Sequence, residues 1–223
     1  MCCALFPIQS DWISCHFFLK IRLYKMVDNH NVMELDIVYK NINRIIDLQD
    51  FEKNIFESLI EIITVKRKEF LLTEGEICRY EYFVLSGCLR SFYLDENLVD
   101  HTNMFAIEGW WTGSLKSFTQ NIAAEFNIVA LEDSKLIRLN KEKLELLFSK
   151  VPKFERYFRI LLQNRLLATQ DRVSSHLSIK ATESYAKFCK KYPDIEQRVP
   201  IKYIASYLGI TPTYLSRIRK IRL

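Results

Sequence analysis

The 223-residue sequence predicts an α+β fold: a β-roll of the double-stranded β-helix (jelly-roll) type with flanking helices, then a long helix, then two short helices. Residues 66–139 predict the roll, because runs rich in Phe, Tyr, Val and Leu alternate with turn residues at intervals of roughly 8–12. One apolar stripe that begins after Pro152 predicts the long helix. Gly209 separates the two short helical patterns at the end of the chain.

Residues 1–33 are predicted to be a non-native extension, with synthesis starting at Met26 or Met33. The segment mixes apolar and basic residues, but its basic residues follow the apolar stretch. A secretory signal has the opposite order, so the segment does not read as one. A peripheral membrane helix is the alternative interpretation.

The roll is expected to be preceded by helix over residues 36–63, where Ile and Phe recur at helical spacing and Asp50 is a candidate cap. Residues 141–150 predict a short helix after it. The strands are predicted at residues 70–72, 80–85, 89–94, 99–107, 126–131 and 135–139.

The long helix, in residues 151–178, carries its apolar stripe at spacings of three or four, on Phe154, Phe158, Leu162, Leu166 and Val173. Either the stripe packs on the roll, or part of it packs on the same stripe of a second chain. A helix of about 25 residues is about 37 Å long, which exceeds what a small roll covers. We therefore expect a homodimer.

Residues 201–220 fit a helix-turn-helix, a motif that lays its second helix in the major groove of DNA. Ala205 is small enough for two helices to cross closely, and Gly209 can adopt a left-handed turn. Thr211 is a good cap and Pro212 a favourable first residue for the second helix. Leu215 and Ile218 are expected to face inward.

The basic excess of the chain lies in this motif. The net charge is +5, and residues 201–223 hold five Lys and Arg and no acidic residue, so residues 1–200 are balanced. Such asymmetry points toward nucleic acid or an anionic surface. With the helix-turn-helix spacing we expect double-stranded DNA as the partner; the alternative is a helical hairpin with a solvated basic face. The candidate DNA-binding residues are Thr211, Pro212, Thr213, Tyr214, Ser216, Arg217 and Lys220.

This layout resembles the Crp/Fnr family of bacterial transcription regulators over residues 34–223. The resemblance implies a cyclic-nucleotide-binding-like effector domain at 34–150, a dimerisation helix at 151–178 and a DNA-binding domain at 179–223. It also implies RNA polymerase and an unidentified small-molecule effector as candidate partners. Thr213 and Arg217 match the family's base-contacting positions, with Pro212 where many members carry Arg, and Thr211 and Tyr214 match positions that touch phosphate.

The sequence departs from the family at the cyclic-nucleotide site. Members that bind the nucleotide carry a Glu where Ser114 stands and an Arg where Ala124 stands, and Glu125 beside it would repel a phosphate. We therefore predict no tight cAMP binding. An apolar effector pocket is a hypothesis, the alternative being that its aromatics fill the roll. Its candidate residues are Trp110, Trp111, Ser114, Phe118, Ala124 and Glu125.

No cofactor or metal is expected. Cys2, Cys3 and Cys15 lack the spacing of the family's iron–sulfur ligands, and no haem ligand stands out. The family's wing after the second helix is missing, which predicts weaker DNA binding or a truncated reading frame. Scattered Cys and no long apolar run favour a cytoplasmic protein with no membrane partner.

No enzyme motif is present, so no catalytic residue is predicted. The competing function is a degenerate sensor or protein-interaction module with a vestigial DNA-binding end.

Overall fold

The computed structural model describes residues 35–178 and 180–222. The predicted extension at 1–33 lies outside these residues. The first described helix, α1, covers residues 35–42. The elements that follow are α2 (Asp50–Leu59), β1 (Glu61–Val65), β2 (Phe70–Leu72), β3 (Tyr80–Ser86), β4 (Leu89–Leu94), β5 (Asp100–Ala106), β6 (Trp111–Thr112), α3 (Leu115–Gln120), β7 (Asn127–Ala130), β8 (Ser134–Asn140), α4 (Lys141–Lys150), α5 (Lys153–Ser178), α6 (Ala181–Lys191), α7 (Ile195–Arg198), α8 (Ile201–Leu208) and α9 (Pro212–Arg222).

The eight strands form two four-stranded antiparallel sheets, which confirms the predicted β-roll. One sheet has the order β1-β8-β3-β6 and the other β2-β7-β4-β5. Hydrophobic side chains from both sheets bury each other and exclude water, which is the main force that holds such a roll together. Phe83, Leu89, Ile128, Leu136 and Ile137 are buried at its centre.

The predicted helix over 36–63 is wrong at its C-terminal end. Helix α2 ends at Leu59, and Glu61–Val65 is β1, paired with β8 through Glu61 and Arg138. Ile62 and Ile63 fit a strand as well as a helix, so the long-range pairing decided between them. Asp50 was the candidate cap, but it is the first residue of α2, and Gln49 is the N-cap. The Gln49 N–H donates to the Glu52 carboxylate at 2.7 Å.

The apolar stripe of helix α5 is buried against the roll for only part of the helix's 26 residues. Phe154 and Tyr157 are buried in the roll core, and Phe158 packs against its edge. Beyond this point Leu162, Leu166 and Val173 are exposed. At 1.5 Å per residue the helix is about 39 Å long. In its C-terminal half Arg165 and Arg172 still donate to the roll carbonyls of Gly113 and Asn103, while the apolar stripe is exposed.

The C-terminal unit, residues 181–222, packs on the roll through a second hydrophobic cluster, which we call the docking cluster. The roll contributes Cys88, Phe105 and Ile107. The C-terminal unit contributes Tyr185, Phe188, Tyr192, Ile195, Val199, Ile204, Ala205, Tyr207, Leu208, Leu215 and Ile218. In the described part of the chain, no helix is both long and apolar enough to cross a membrane.

Candidate nucleic-acid interface and effector cavity

Helices α8 and α9 are joined by a tight turn at Gly209. Gly209 has φ 67° and ψ 30°, the left-handed conformation that a residue without a Cβ adopts at little cost. The N–H of Ile210 donates to Ala205 O at 3.0 Å, which satisfies a carbonyl at the end of α8. Pro212 begins α9, and the N–H of Tyr214 donates to Thr211 Oγ1 at 3.2 Å. The turn and cap that the residue types predict are therefore both present.

The inner face of this helix pair is fully packed. Ala205 and Leu215 have no exposed surface, and Ile204, Leu208 and Ile218 are buried beside them. A larger side chain at position 205 would separate the helices. Burial of the apolar face fixes which side of α9 is left for solvent.

The candidate DNA-binding residues form the outer face of α9 and its entry. Thr211, Pro212, Thr213, Tyr214, Arg217 and Lys220 are exposed, and Ser216 is half-buried. Tyr214 is 47% exposed although it is a large aromatic residue. Arg219 instead turns toward α7, where its Nε lies 3.1 Å from Glu196 Oε1. Among the described residues, neither Arg217 nor Lys220 has a carboxylate within ion-pair distance.

A cavity of about 320 Å³ opens beside α3. Its walls come from α3, the segment before β7, and α5: Ser114, Leu115, Lys116, Ser117, Ala123, Glu125, Phe126 and Arg165. Two of the predicted pocket residues, Ser114 and Glu125, line it. The other six lining residues were not predicted. Leu115, Lys116, Ser117, Ala123 and Phe126 neighbour predicted positions, whereas Arg165 comes from an element some 40 positions further along the chain.

The other four predicted pocket residues lie elsewhere. Phe118 and Ala124 are buried in the roll core. Trp111 packs on Phe158, with ring centres 5.2 Å apart, and Trp110 stacks on Tyr192 at 5.4 Å. These aromatics fill the roll edge and the docking cluster, so they do not form a wall of the 320 Å³ cavity.

Of the charged groups at the cavity, Lys116 and Glu125 have an ion-pair partner, whereas Arg165 has none among the described residues. Lys116 and Glu125 form an ion pair with each other at the surface. Among the described residues, the Arg165 guanidinium donates a single long hydrogen bond of 3.3 Å, to Gly113 O. Behind Gly113 lies Glu81, a buried carboxylate whose Oε1 has no hydrogen-bond partner among the described residues. Burial raises the pKa of Glu81 to about 7, although Arg165 acts in the opposite direction.

Residues 62–150 match the family model of the cyclic nucleotide-binding domain. The β-roll is therefore similar to cyclic nucleotide-binding domains. The residues that line the 320 Å³ cavity lie within this matched range, except for Arg165. No group of three or more His, Cys, Asp and Glu side chains within residues 35–178 and 180–222 could hold a metal ion.

Solved structures extend the likeness beyond the cyclic nucleotide-binding domain. The c-di-GMP-responsive global regulator CLP of Xanthomonas campestris is 15% identical, with a TM-score of 0.63, over 78% of this chain and 92% of that one. FixK2 of Bradyrhizobium japonicum is 18% identical, with a TM-score of 0.62, over 72% and 83%.

A putative Crp/Fnr-family regulator of Eubacterium rectale is 18% identical, with a TM-score of 0.60, over 78% of this chain and 83% of that one. The predicted resemblance to the Crp/Fnr family is therefore confirmed at the level of the fold. Among curated proteins, no significant match to the chain is found.

Proposed function

We propose that this chain is a sequence-specific, DNA-binding transcription regulator of the Crp/Fnr type that acts as a homodimer in the cytoplasm. The observation that carries the proposal is the outer face of α9, on which Thr213, Tyr214, Arg217 and Lys220 are exposed. The inner face of the same helix is held rigidly by Leu215 and Ile218. A rigid, basic, capped helix is what the major groove admits.

Each exposed side chain has a distinct role in this proposal. Arg217 reads guanine through its O6 and N7 atoms, because the guanidinium can donate two parallel hydrogen bonds to them. Thr211, Tyr214 and Lys220 bind phosphate oxygens, which fixes the register of the helix on the duplex. Thr213 and Ser216 are close enough to the same face to contact base edges or sugars. The stretch carries no acidic residue that would oppose the phosphates.

The homodimer is supported by the C-terminal half of α5. Leu162 is 42% exposed, Leu166 60% and Val173 57%, and they share the stripe that began in the roll core with Phe154. A monomer that left this stripe in water would lose the stabilisation that burial of apolar surface provides. A second copy of the same helix is the occupant that such a repeating stripe fits.

Insensitivity to cAMP is supported by Ala124 and Ser114, which stand where nucleotide-binding members carry Arg and Glu. Ala124, at the position where nucleotide-binding members carry Arg, is buried and uses its backbone to bond Gly75 and Glu76. Ser114 cannot act as the carboxylate that would accept from the ribose hydroxyl. Titration calorimetry with cAMP is expected to give no micromolar binding, and micromolar affinity would overturn this part of the proposal.

DNA binding is tested by mobility shift with the DNA upstream of the gene at two salt concentrations. We expect binding that weakens as salt rises, because Lys and Arg release counterions from the phosphates. Arg217→Ala is expected to relax base preference at one position and to cost about 1–3 kcal/mol. Arg67→Ala is the matched control, since Arg67 is exposed in the turn between β1 and β2 and carries the same charge.

No shift at low salt would contradict the proposal and favour a protein-interaction module. An equal loss on every DNA sequence after Arg217→Ala would make Arg217 a phosphate contact instead of a base contact.

A further inference from the structure

Strand β5 lies at the edge of its sheet, and the C-terminal unit covers that edge. In the order β2-β7-β4-β5, the strand has a neighbour on one side only. The Ser206 hydroxyl, in α8, accepts from the Thr102 N–H and donates to Asp100 O, both at 2.8 Å. A single side chain therefore satisfies two backbone groups that a neighbouring strand would otherwise bond, and Thr102 is only 2% exposed.

Helix α5 contacts the same strand at a β-bulge. The register of β4 and β5 shifts between Ser91 and Phe92, so Asn103 has no residue opposite it. The Asn103 carbonyl accepts from Arg172 Nη1, in α5, and the same nitrogen lies 3.3 Å from Asn103 Oδ1. The Arg172 guanidinium also covers the ring of Tyr207, in α8, at 4.9 Å from its centre. Arg172 therefore joins α5 to β5 and to α8 at once.

The apolar and the polar contacts of α8 with the roll have different consequences. Burial of the docking cluster favours attachment without fixing its angle closely, because the hydrophobic effect is not directional, whereas hydrogen bonds are. Tyr203, one turn before Ser206, rests on the long side chain of Arg90. Ser206 instead bonds the backbone of β5, which the sheet holds in place. The docking cluster therefore keeps the C-terminal unit on the roll, and Ser206 sets the angle at which α8 lies there.

The polar attachments of the C-terminal unit lie at opposite ends of β5. Ser206 bonds the start of the strand, and Arg198 pairs with Glu108, beyond its C-terminal end. One attachment alone leaves rotation about that point free, whereas two attachments separated along a seven-residue strand oppose it. Loss of the Ser206 contact would therefore leave the C-terminal unit attached but able to turn.

We propose that Ser206 and Arg172 are positioning residues that fix the direction of α9 relative to α5. This inference rests on the proposed homodimer and its DNA binding, and it names the contacts that set the separation of the two copies of α9. Val173, next to Arg172, belongs to the exposed stripe through which α5 would meet its partner. Consecutive contacts thus lead from the proposed dimer interface through β5 and α8 to α9.

A fixed direction of α9 makes DNA binding depend on the spacing of the half-sites. One inserted base pair moves one half-site by about 3.4 Å along the duplex and turns it by about 35°. A rigid dimer then loses the second half-site and the gain from binding both at once. A dimer whose C-terminal units can turn binds its best site less tightly, but it loses less when the spacing changes.

The first measurement is hydrogen exchange of the full-length protein without DNA. In Ser206→Ala we expect exchange of the Thr102 N–H to become at least about tenfold faster, while exchange within α8 and α9 stays slow. These two helices remain packed on each other through Ala205 and Leu215. Unchanged exchange at Thr102 would overturn the role of Ser206, and so would fast exchange throughout α8 and α9, because the residue would then support the fold and not the direction.

The second measurement uses a palindromic duplex that the unaltered protein selects from random DNA. One base pair added between its half-sites is expected to weaken binding of the unaltered protein at least about tenfold. Ser206→Ala and Arg172→Met should each bind the selected duplex about tenfold more weakly and lose no more than about threefold on the addition. A merely structural role would weaken binding to both duplexes by the same factor.

Ser58→Ala and Arg159→Met are the matched controls, and both should keep the spacing dependence of the unaltered protein. The hydroxyl of Ser58 bonds its own helix, at 2.7 Å from Ile55 O. Arg159 is exposed on α5 and bonds Gln163 at 3.2 Å.

An equal spacing penalty in the unaltered protein and in the two positioning variants would overturn the proposal. Failure of the unaltered protein to select any duplex is a different result, because it contradicts the proposed DNA binding itself. Exchange at Thr102 would then still support or overturn the attachment of α8 to β5 by Ser206.

Discussion

The guanidinium carbon of Arg90, in β4, lies 3.8 Å from the ring centre of Tyr203, in α8. The side chain of Arg90 is only 2% exposed, and it also covers the ring of Phe92 at 4.3 Å and pairs with Asp100. Burial lowers the pKa of Arg90 to about 10, which still leaves it charged at neutral pH. A buried cation of the roll therefore has the aromatic ring of Tyr203, in α8 of the C-terminal unit, as a partner.

We expect Tyr203→Leu to destabilise the protein by about 2 kcal/mol, because a desolvated cation loses its aromatic partner while an apolar side chain still fills the space. Denaturation with urea measures the change. Tyr93→Leu is the control, since Tyr93 is 43% exposed and stacks only on His101. Equal losses for the two variants would mean that Tyr203 contributes apolar area alone.

Arg198, in α7, links the C-terminal unit to two carboxylates of the roll. Its Nη1 and Nη2 lie 2.9 and 2.8 Å from the two oxygens of Glu108, and it also pairs with Glu132. Burial raises the pKa of Glu108, but the hydrogen bonds from Arg198 and from the Gly87 N–H outweigh it, so the net shift is downward from 4.5. A lowered carboxylate pKa stabilises the fold above the unfolded pKa and ceases to do so as the pH falls through the folded value.

The attachment of the C-terminal unit should therefore weaken below about pH 4.5. Tryptophan fluorescence can follow it, because Trp110 stacks on Tyr192 within the docking cluster. In Glu108→Gln the acid-induced change should be smaller, and the protein should already be less stable at pH 7. A change of the same size in Glu108→Gln would assign the acid sensitivity to other carboxylates.

The order of elements was predictable because each depends on local patterns. Gly209 and Thr211 predicted a turn and a cap, since both depend on the conformation and hydrogen bonding of a single residue. The short strands of the roll alternate with turn residues, so most of them were predicted within one or two positions. The strand at Glu61–Val65 was not predicted. Its apolar residues fit the periodicity of a helix as well as that of a strand, and only the pairing with β8 selects the strand.

The cavity could not be derived from local patterns. Arg165 was not among the predicted site residues, because nothing nearby in sequence indicates that it reaches Gly113 across 52 positions. The predicted aromatic residues do not line a common pocket, for a related reason. Trp110, Trp111 and Phe118 carry large apolar surfaces, and the interfaces between the roll, α5 and the C-terminal unit bury such surfaces first.

Tyr157 joins three elements by hydrogen bonds inside the core. Its hydroxyl accepts from Trp111 Nε1 at 2.9 Å and donates to Asn41 Oδ1 at 2.7 Å, so it links α5 to β6 and α1. Tyr157→Phe should cost about 1–3 kcal/mol, because it leaves the indole N–H and the amide oxygen without a partner. Thermal denaturation measures the loss, and Tyr93→Phe, at an exposed ring, is the control. No loss would mean that water replaces the hydroxyl.

The exposed stripe of α5 gives the sharpest test of the dimer. Leu166→Glu places two charges in the proposed interface and removes two apolar side chains, so association should weaken by about 2–4 kcal/mol. Sedimentation or light scattering across a concentration series measures the mass. Leu146→Glu is the matched control, because Leu146 is a 42% exposed Leu on α4 outside the stripe.

A monomer in the unaltered protein would contradict the dimer directly. If the Leu166→Glu protein remains a dimer, the interface lies on another surface. A Leu166→Glu monomer that keeps its thermal stability but loses salt-dependent DNA binding would connect the stripe to DNA recognition, because a monomer can contact only one half-site at a time.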